Sequence, residues 1–355
     1  MLRDLKKILS AIFGVALVST SMPTVKAAVK EVKVLSIGHS YSLNSCEYLY
    51  DIAKSQGVEM TIGIAYRGNC PLRMHYEYLT GNVVYGEAMG GGYYKKYVSG
   101  GYCSTYPEEY TLGKMLKDEK WDYIIFQDCL DTAGDWDTVS EWLPKLYEKG
   151  DKIMREQGNT TVQYIYHKIW GMESTKYNPT DLVEFSKYNY DSENMYRAVS
   201  ETSKRAADSM NFRLLPTGDA FRLARNTPEF DAEQRGKILV ADTTNHANKY
   251  GQYLAGITWF ETITQMKVDK ASVYRPNELT ESEANILIDC ATDAVTNIGL
   301  RLTKNTIADE NKQQIMEEKE EENKNTFPFQ TVAIGVGIVV VIAVLVVLIL
   351  KFVRR

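Results

Sequence analysis

Residues Lys33 to Ser42 read KVLSIGHSYS, and this stretch decides the fold. Val34, Leu35 and Ile37 form a short apolar run around Ser36, the pattern of a strand buried on both faces of a parallel sheet. The run stops at Gly38, and an apparent helix from about Ser45 carries Tyr48, Leu49, Ile52 and Ala53 on one side. Ser40 therefore sits where a strand ends and a helix begins. In open α/β sheets, ligands and chemistry collect at the carboxyl ends of the strands. A hydroxyl placed there also feels the positive end of the following helix. Taken alone, the stretch fits two readings: Ser40 as a helix cap after a glycine turn, or Ser40 as a reactive hydroxyl.

The same pattern recurs along the chain. Glu59 to Ala65 (EMTIGIA) reads as a second strand, followed by Tyr66, Arg67, Gly68, Asn69 and Cys70. Trp121 to Gln127 (WDYIIFQ) reads as a third, Thr161 to Tyr166 as a fourth that ends in His167, and Phe212 to Pro216 as a fifth. Segments with helical spacing separate them. Strand and helix in alternation predict an α/β fold: a three-layer α/β/α sandwich around a five-stranded parallel sheet. The flavodoxin-like order 2-1-3-4-5 places the switch point beside Ser40. Gly81 to Tyr106, rich in Gly and Tyr, reads as a hairpin or long loop. Tyrosines there suit contact with sugars or peptides as well as a plain surface hairpin. No internal repeat and no Gly-rich phosphate fingerprint is present.

Both ends carry membrane-targeting patterns. Arg3, Lys6 and Lys7 precede an apolar stretch and the small-x-small run Val25, Lys26, Ala27, the design of a secretory signal. An uncleaved amino-terminal anchor is the alternative. Val332 to Leu350 contains no charge, is long enough to span a bilayer, and is followed at once by Lys351, Arg354 and Arg355. The expected organisation is a signal peptide at 1–28, one domain at 30–305, an acidic polar stalk at 306–328, a transmembrane helix at 329–351 and a basic cytoplasmic tail at 352–355. This places the domain outside the cell, on a single-pass anchor. The formal net charge is −5 with no basic stripe, which argues against a nucleic-acid partner. Five cysteines, an odd number, show no CxxC or Cys/His cluster, so no metal site is expected.

A serine nucleophile needs a base, and the base an orienting acid. The chain has four histidines. His39 adjoins Ser40, so its side chain points elsewhere. His75 lies in an apparent helix, and His167 ends a strand where it lines the same cleft. His246 lies beyond the fifth strand with Asp242 four residues upstream, close enough to hydrogen-bond. The plain alternative is that Asp242 caps a turn and His246 is a surface residue. An oxyanion needs two or three fixed donors. The N–H groups of Ser40 and Gly68 and the amide of Gln127 or Asn69 all fall at strand carboxyl ends, although Gly68 alone fits a tight turn equally well.

These residues together resemble the SGNH/GDSL hydrolases, and most closely a branch of that superfamily known only as a domain of unknown function. Its members show a GNSFS-like first block, a WDYVxLQ-like third strand and a late DGxHLxxxGxYLAGxxWYExLT-like segment. This chain has GHSYS, WDYIIFQ and HANKYGQYLAGITWFETIT, and the likeness spans roughly Lys33 to Thr264. The resemblance implies Ser40 as nucleophile, His246 as base and Asp242 as orienting acid. It implies an oxyanion hole from Ser40, Gly68 and a polar group near Gln127, with Gln127 itself the expected third member; Asn69 and His167, at neighbouring strand ends, are expected to bind substrate. Three departures stand out. His39 replaces an Asp or Asn, the third-block Asn of the wider superfamily is absent, and the Asp-to-His spacing is four instead of three. Asn245 or a backbone carbonyl is therefore an alternative orienter.

The implied function is a cell-surface serine ester hydrolase that removes acyl groups, such as acetyl, from carbohydrate without a cofactor. The alternative is a hydrolase-like module that has lost activity and binds glycan or protein through the Tyr-rich loop. Deleting Phe329 to Arg355 is expected to release a folded, soluble ectodomain. Retention of that truncated chain in the membrane fraction after signal cleavage overturns the anchor.

Overall fold

The computed structural model describes residues 30–87, 92–98, 102–106, 110–173, 183–241 and 245–305. The segments expected to form the signal peptide, stalk, transmembrane helix and cytoplasmic tail, and Asp242, lie outside the described residues. Among those described, no helix is long and apolar enough to cross a membrane.

The sheet has seven strands: β1 (Lys30–Gly38), β2 (Val58–Arg67), β3 (Gly92–Val98), β4 (Tyr102–Tyr106), β5 (Tyr123–Phe126), β6 (Gln163–His167) and β7 (Arg213–Leu215). Their order is β4-β3-β2-β1-β5-β6-β7. β2, β1, β5, β6 and β7 run parallel, in the order expected for the five strands read from sequence. The expectation of a purely parallel, five-stranded sheet is corrected at one edge. There β3 and β4 add an antiparallel hairpin to β2 and make the sheet mixed. This hairpin comes from the Gly- and Tyr-rich stretch. Its first arm, β3, alternates buried Tyr94 with half-buried Tyr93 and Lys95, as a strand packed on one face does.

The central position of β1 explains its composition. Val34 joins the hydrophobic cluster on one side of the sheet, with Ile52, Leu254 and Ile257. Leu35 and Ile37 join the cluster on the other side, with Trp121, Leu143 and Leu146. Two cores separated by one sheet make the three layers. The first core is closed by α1 (Ser40–Cys46), α2 (Leu49–Ser55), α7 (Thr217–Arg225), α8 (Lys249–Thr264) and α9 (Glu281–Asn297). The second is closed by α3 (Leu72–Gly81), α4 (Leu112–Asp118) and α5 (Trp136–Glu156), while α6 (Ser192–Met210) touches both.

The YLAGITWFETIT segment forms α8, which is buried on every side because α9 covers the face turned from the sheet. Gly256 lets this helix approach α2 closely, since a Cβ there would meet the Ile52 Cδ1 at 2.9 Å. Glu261 is the exception to its apolar surroundings. Its Oε1 accepts from the Val268 N–H (2.9 Å) and the Thr292 hydroxyl (3.0 Å), and its Oε2 has no partner among the described residues. Burial pushes its carboxyl up to about 7. The folded chain thus holds this proton more tightly than the unfolded chain, whose glutamate titrates near 4.5. The resulting stability is complete below about 4.5 and is lost as pH rises towards about 7. Glu261→Gln is expected to remove this dependence. In thermal melts its Tm should gain on that of the wild type between pH 5 and pH 8; a pH-independent gap overturns the assignment.

Candidate active site

The turn between β1 and α1 presents Ser40. His39 caps α1 with its side chain, its Nδ1 accepting a long bond from the Tyr41 N–H (3.4 Å). That leaves the proton on Nε2, which donates to the Asp128 carbonyl (3.1 Å). Burial pushes His39 down to about 3, so it stays neutral. As expected, its ring points away from the serine hydroxyl.

Ser40 is half-buried, and its Oγ lies 2.7 Å from Nε2 of His246. The two residues are 206 positions apart, and the fold brings them together. Burial lowers the His246 pKa below 6.5. At neutral pH the imidazole is uncharged, with Nε2 free to accept the serine O–H. Among the described residues, no acid bonds to its Nδ1. Asp242, the expected orienter, lies outside them.

The backbone on either side of His246 is fastened. Ala241 N–H donates to the His246 carbonyl (2.6 Å), Asn248 N–H to the Leu239 carbonyl (3.0 Å), and Ala247 N–H to Asn44 Oδ1 of α1 (3.0 Å). The last bond ties the loop directly to the helix that begins with Ser40. Asn245 does not reach the imidazole. Its amide Nδ2 donates to Tyr41 Oη (2.5 Å), and its Oδ1 accepts from the Glu173 N–H (3.0 Å). Tyr41 in turn stacks on Trp170, ring centroids 3.8 Å apart and 4° from parallel. Sequence reading gave no role to Tyr41, Asn44 or Trp170. A tyrosine one residue after the serine, and an asparagine one residue before the histidine, were the available signals.

Gly68 stands two residues past Tyr66, which pairs with Gly38 across the β1/β2 ladder, so Gly68 and Ser40 each follow the carboxyl end of one of two neighbouring strands. The N–H groups of Ser40 and Gly68 have no hydrogen-bond partner among the described residues. Asn69 adopts the left-handed conformation (φ 41°), and its Oδ1 accepts from the Leu130 N–H (3.4 Å), linking the loops after β2 and β5. It remains half-exposed at this edge.

Two expectations are corrected. Gln127 is fully buried and does not offer its amide to an oxyanion. Its Oε1 accepts from the His39 N–H (3.0 Å) and the Ser42 hydroxyl (3.1 Å), and its Nε2 donates to His167 Nδ1 (2.6 Å). His167 is 1 % exposed and does not line a cleft. It donates from Nε2 to the Thr217 hydroxyl (2.9 Å) and meets Trp259 edge-on. Burial holds it well below the usual histidine range. Among the described residues, no group of three His, Cys, Asp or Glu side chains is placed to hold a metal ion.

The family model of DUF4886, a domain of unknown function, matches residues 33–294, and the chain belongs to that family. A crystal structure of a DUF4886 family protein from Bacteroides uniformis is similar at 26 % identity and a TM-score of 0.65, over 75 % of this chain and 95 % of that one. A mutant of an acetylxylan esterase from Geobacillus stearothermophilus shows 13 % identity and a TM-score of 0.37, over 66 % and 94 %. No curated protein matches the chain.

Gln127→Ala is expected to strip three buried groups of their partner, at about 1–3 kcal/mol each. The expected result is a large fall in Tm. His167→Ala should likewise cost stability and leave KM for a small ester unchanged; a rise in KM without a fall in Tm would return His167 to the cleft.

Proposed function

We propose that the protein is a serine ester hydrolase of the SGNH/GDSL type. The observation that carries this reading is the 2.7 Å contact between Ser40 Oγ and His246 Nε2 at a strand-to-helix turn, beside the Ser40 and Gly68 N–H groups. In this reading His246 takes the Ser40 proton as the oxygen attacks the ester carbonyl. The negative charge on the carbonyl oxygen is met by the two N–H groups, which are fixed before the reaction begins. Collapse of the tetrahedral intermediate expels the alcohol, which receives the proton from His246. Water, activated by the same imidazole, then releases the acid and restores Ser40. Asp242 serves as the orienter of the Nδ1 side.

Acylated carbohydrate is the proposed substrate. Tyr66 and Tyr93, half-buried with ring centroids 4.6 Å apart, stand at the Gly68 end of the site. Tyr66 Oη lies 3.5 Å from where a Cβ on Gly68 would be. Aromatic faces with a polar tip suit the alternating apolar and hydroxyl surfaces of a sugar ring. The amino-terminal signal and carboxyl-terminal span support placement at the cell surface, with the domain outside.

A fluorophosphonate probe should label the wild-type chain and fail to label Ser40→Ala, which should remain folded. His246→Ala should lower ester hydrolysis by about 10²–10⁴-fold. Asp242→Ala should cost less. The acid limb of kcat/KM should have its midpoint below pH 6.5, because burial lowers the base and the neutral form is the active one. Labelling that survives Ser40→Ala overturns the reading.

A further inference from the structure

We infer that Asn245 is a positioning residue for His246, locking the backbone that carries the imidazole to the helix that carries Ser40. The inference rests on the serine-hydrolase reading for its kinetic consequences, and on geometry for everything else.

Asn245 is 1 % exposed and makes three bonds in three directions. Its Nδ2 donates to Tyr41 Oη, its Oδ1 accepts from the Glu173 N–H, and its main-chain carbonyl accepts from Trp170 Nε1 (3.0 Å). Two of these partners also hold each other, through the Tyr41–Trp170 stack. The third, Glu173, grips the same loop at its other end. Its Oε2 accepts from the Leu239 N–H (3.3 Å), and its Oε1 faces Arg225 Nε (3.0 Å). The chain from Leu239 to Asn245 is thus pinned at both ends to the segment after β6. His246 follows at once, with its ring edge towards Tyr41 at 6.2 Å.

Asn245 also has the left-handed backbone (φ 51°), a conformation that Asn and Gly adopt and most residues resist. This backbone turns the chain sharply just before His246. A 2.7 Å contact between base and nucleophile tolerates little drift, since small misplacements of reacting groups cost orders of magnitude in rate. Tyr41 is the residue after Ser40, so one hydrogen bond, Asn245 to Tyr41, spans the two halves of the pair.

The test uses the full chain. Asn245→Gly keeps the left-handed turn and removes the amide. It is expected to lower kcat for p-nitrophenyl acetate about 10–100-fold with KM within about 2-fold. It should also move the acid limb of kcat/KM up towards 6.5 as the ring becomes better solvated. Tyr41→Phe keeps the stack and removes the hydroxyl. The double variant should be little worse than the poorer single, because both break one link. Asn159→Ala is the control: equally buried, it donates to the Trp121 carbonyl at the opposite end of the sheet, and it should lower Tm with kcat unchanged. Asn245→Gly behaving as Asn159→Ala does, or additive effects of Asn245→Gly and Tyr41→Phe, overturns the inference.

A second readout is independent of turnover. The His246 proton resonance, identified by its loss in His246→Ala, should titrate below 6.5 in the wild type and higher in Asn245→Gly. An unmoved titration overturns the positioning role even if the chain hydrolyses esters. Absence of fluorophosphonate labelling in the wild type sinks the hydrolase reading alone.

Discussion

A single row of residues across the sheet holds the rest in place. Gly38, Gln127 and His167 stand side by side at the carboxyl ends of β1, β5 and β6, Gln127 just past the end of β5: Ile37 pairs with Phe126, and Phe126 with Tyr166, and these three residues follow them. Gly38 has no side chain to fill its place in the row. A Cβ there would lie 2.6 Å from both Gln127 Oε1 and Ser42 Oγ. Into that space Gln127 extends its amide and takes the His39 N–H and the Ser42 hydroxyl, while its other end meets His167. Ser36, the polar residue inside an apolar strand, donates to Ser42 and closes the set (2.8 Å). The turn that presents Ser40 is therefore gripped from below by groups that are all buried and mutually satisfied. In a low-dielectric interior such a network is rigid, because breaking any bond strands a polar group away from water.

Rigidity beneath the turn explains why the polar residues of the third and fourth strand ends are absent from the reacting surface. Gln127 and His167 hold the floor of the site. The surface itself is made by residues one or two positions further along: Ser40 after His39, and Gly68 after Arg67. Asn69 and the loop after β5 close the edge beside Gly68. A site built this way separates support from chemistry, and the support can be chemically unlike an oxyanion hole while standing where one is expected.

Much of this was legible in the sequence. Apolar runs ending in polar residues gave the five parallel strands and their order. The pairing of Ser40 with His246 followed from strand-end placement and from the likeness of the late segment. Two things resisted. The Gly- and Tyr-rich stretch was legible as a hairpin or long loop, but not as part of the sheet: its short arms carry no mark of which strand they join, and β3 pairs antiparallel with β2. The direction of a strand-end side chain was the other. Position on a strand sets the level of a residue but not whether its polar end finds a partner inside, and Gln127 and His167 find each other. Asn245 was visible as a polar neighbour of His246, yet its part depends on a left-handed turn and on Trp170 and Glu173, which are more than 70 residues away.

Burial then assigns the four histidines. His39 and His75 are pushed down to about 3, and His167 well below its ordinary value, because each ring is enclosed and a charge there would be poorly solvated. These three are hydrogen-bonding parts of the interior, neutral throughout the physiological range. His246 is the histidine left half-exposed, and its depression is the mildest. A general base must exist unprotonated before the reaction and accept a charge during it. An enclosed ring meets the first condition and fails the second, since the imidazolium would have nowhere to be solvated. A fully exposed ring accepts charge readily but is protonated sooner as pH falls, and nothing fixes its direction. His246 lies between these limits, half-covered, with its loop fixed by Asn44 and Asn245 and its Nε2 turned to Ser40. Of the four, only this placement lets one imidazole both take the proton and give it back.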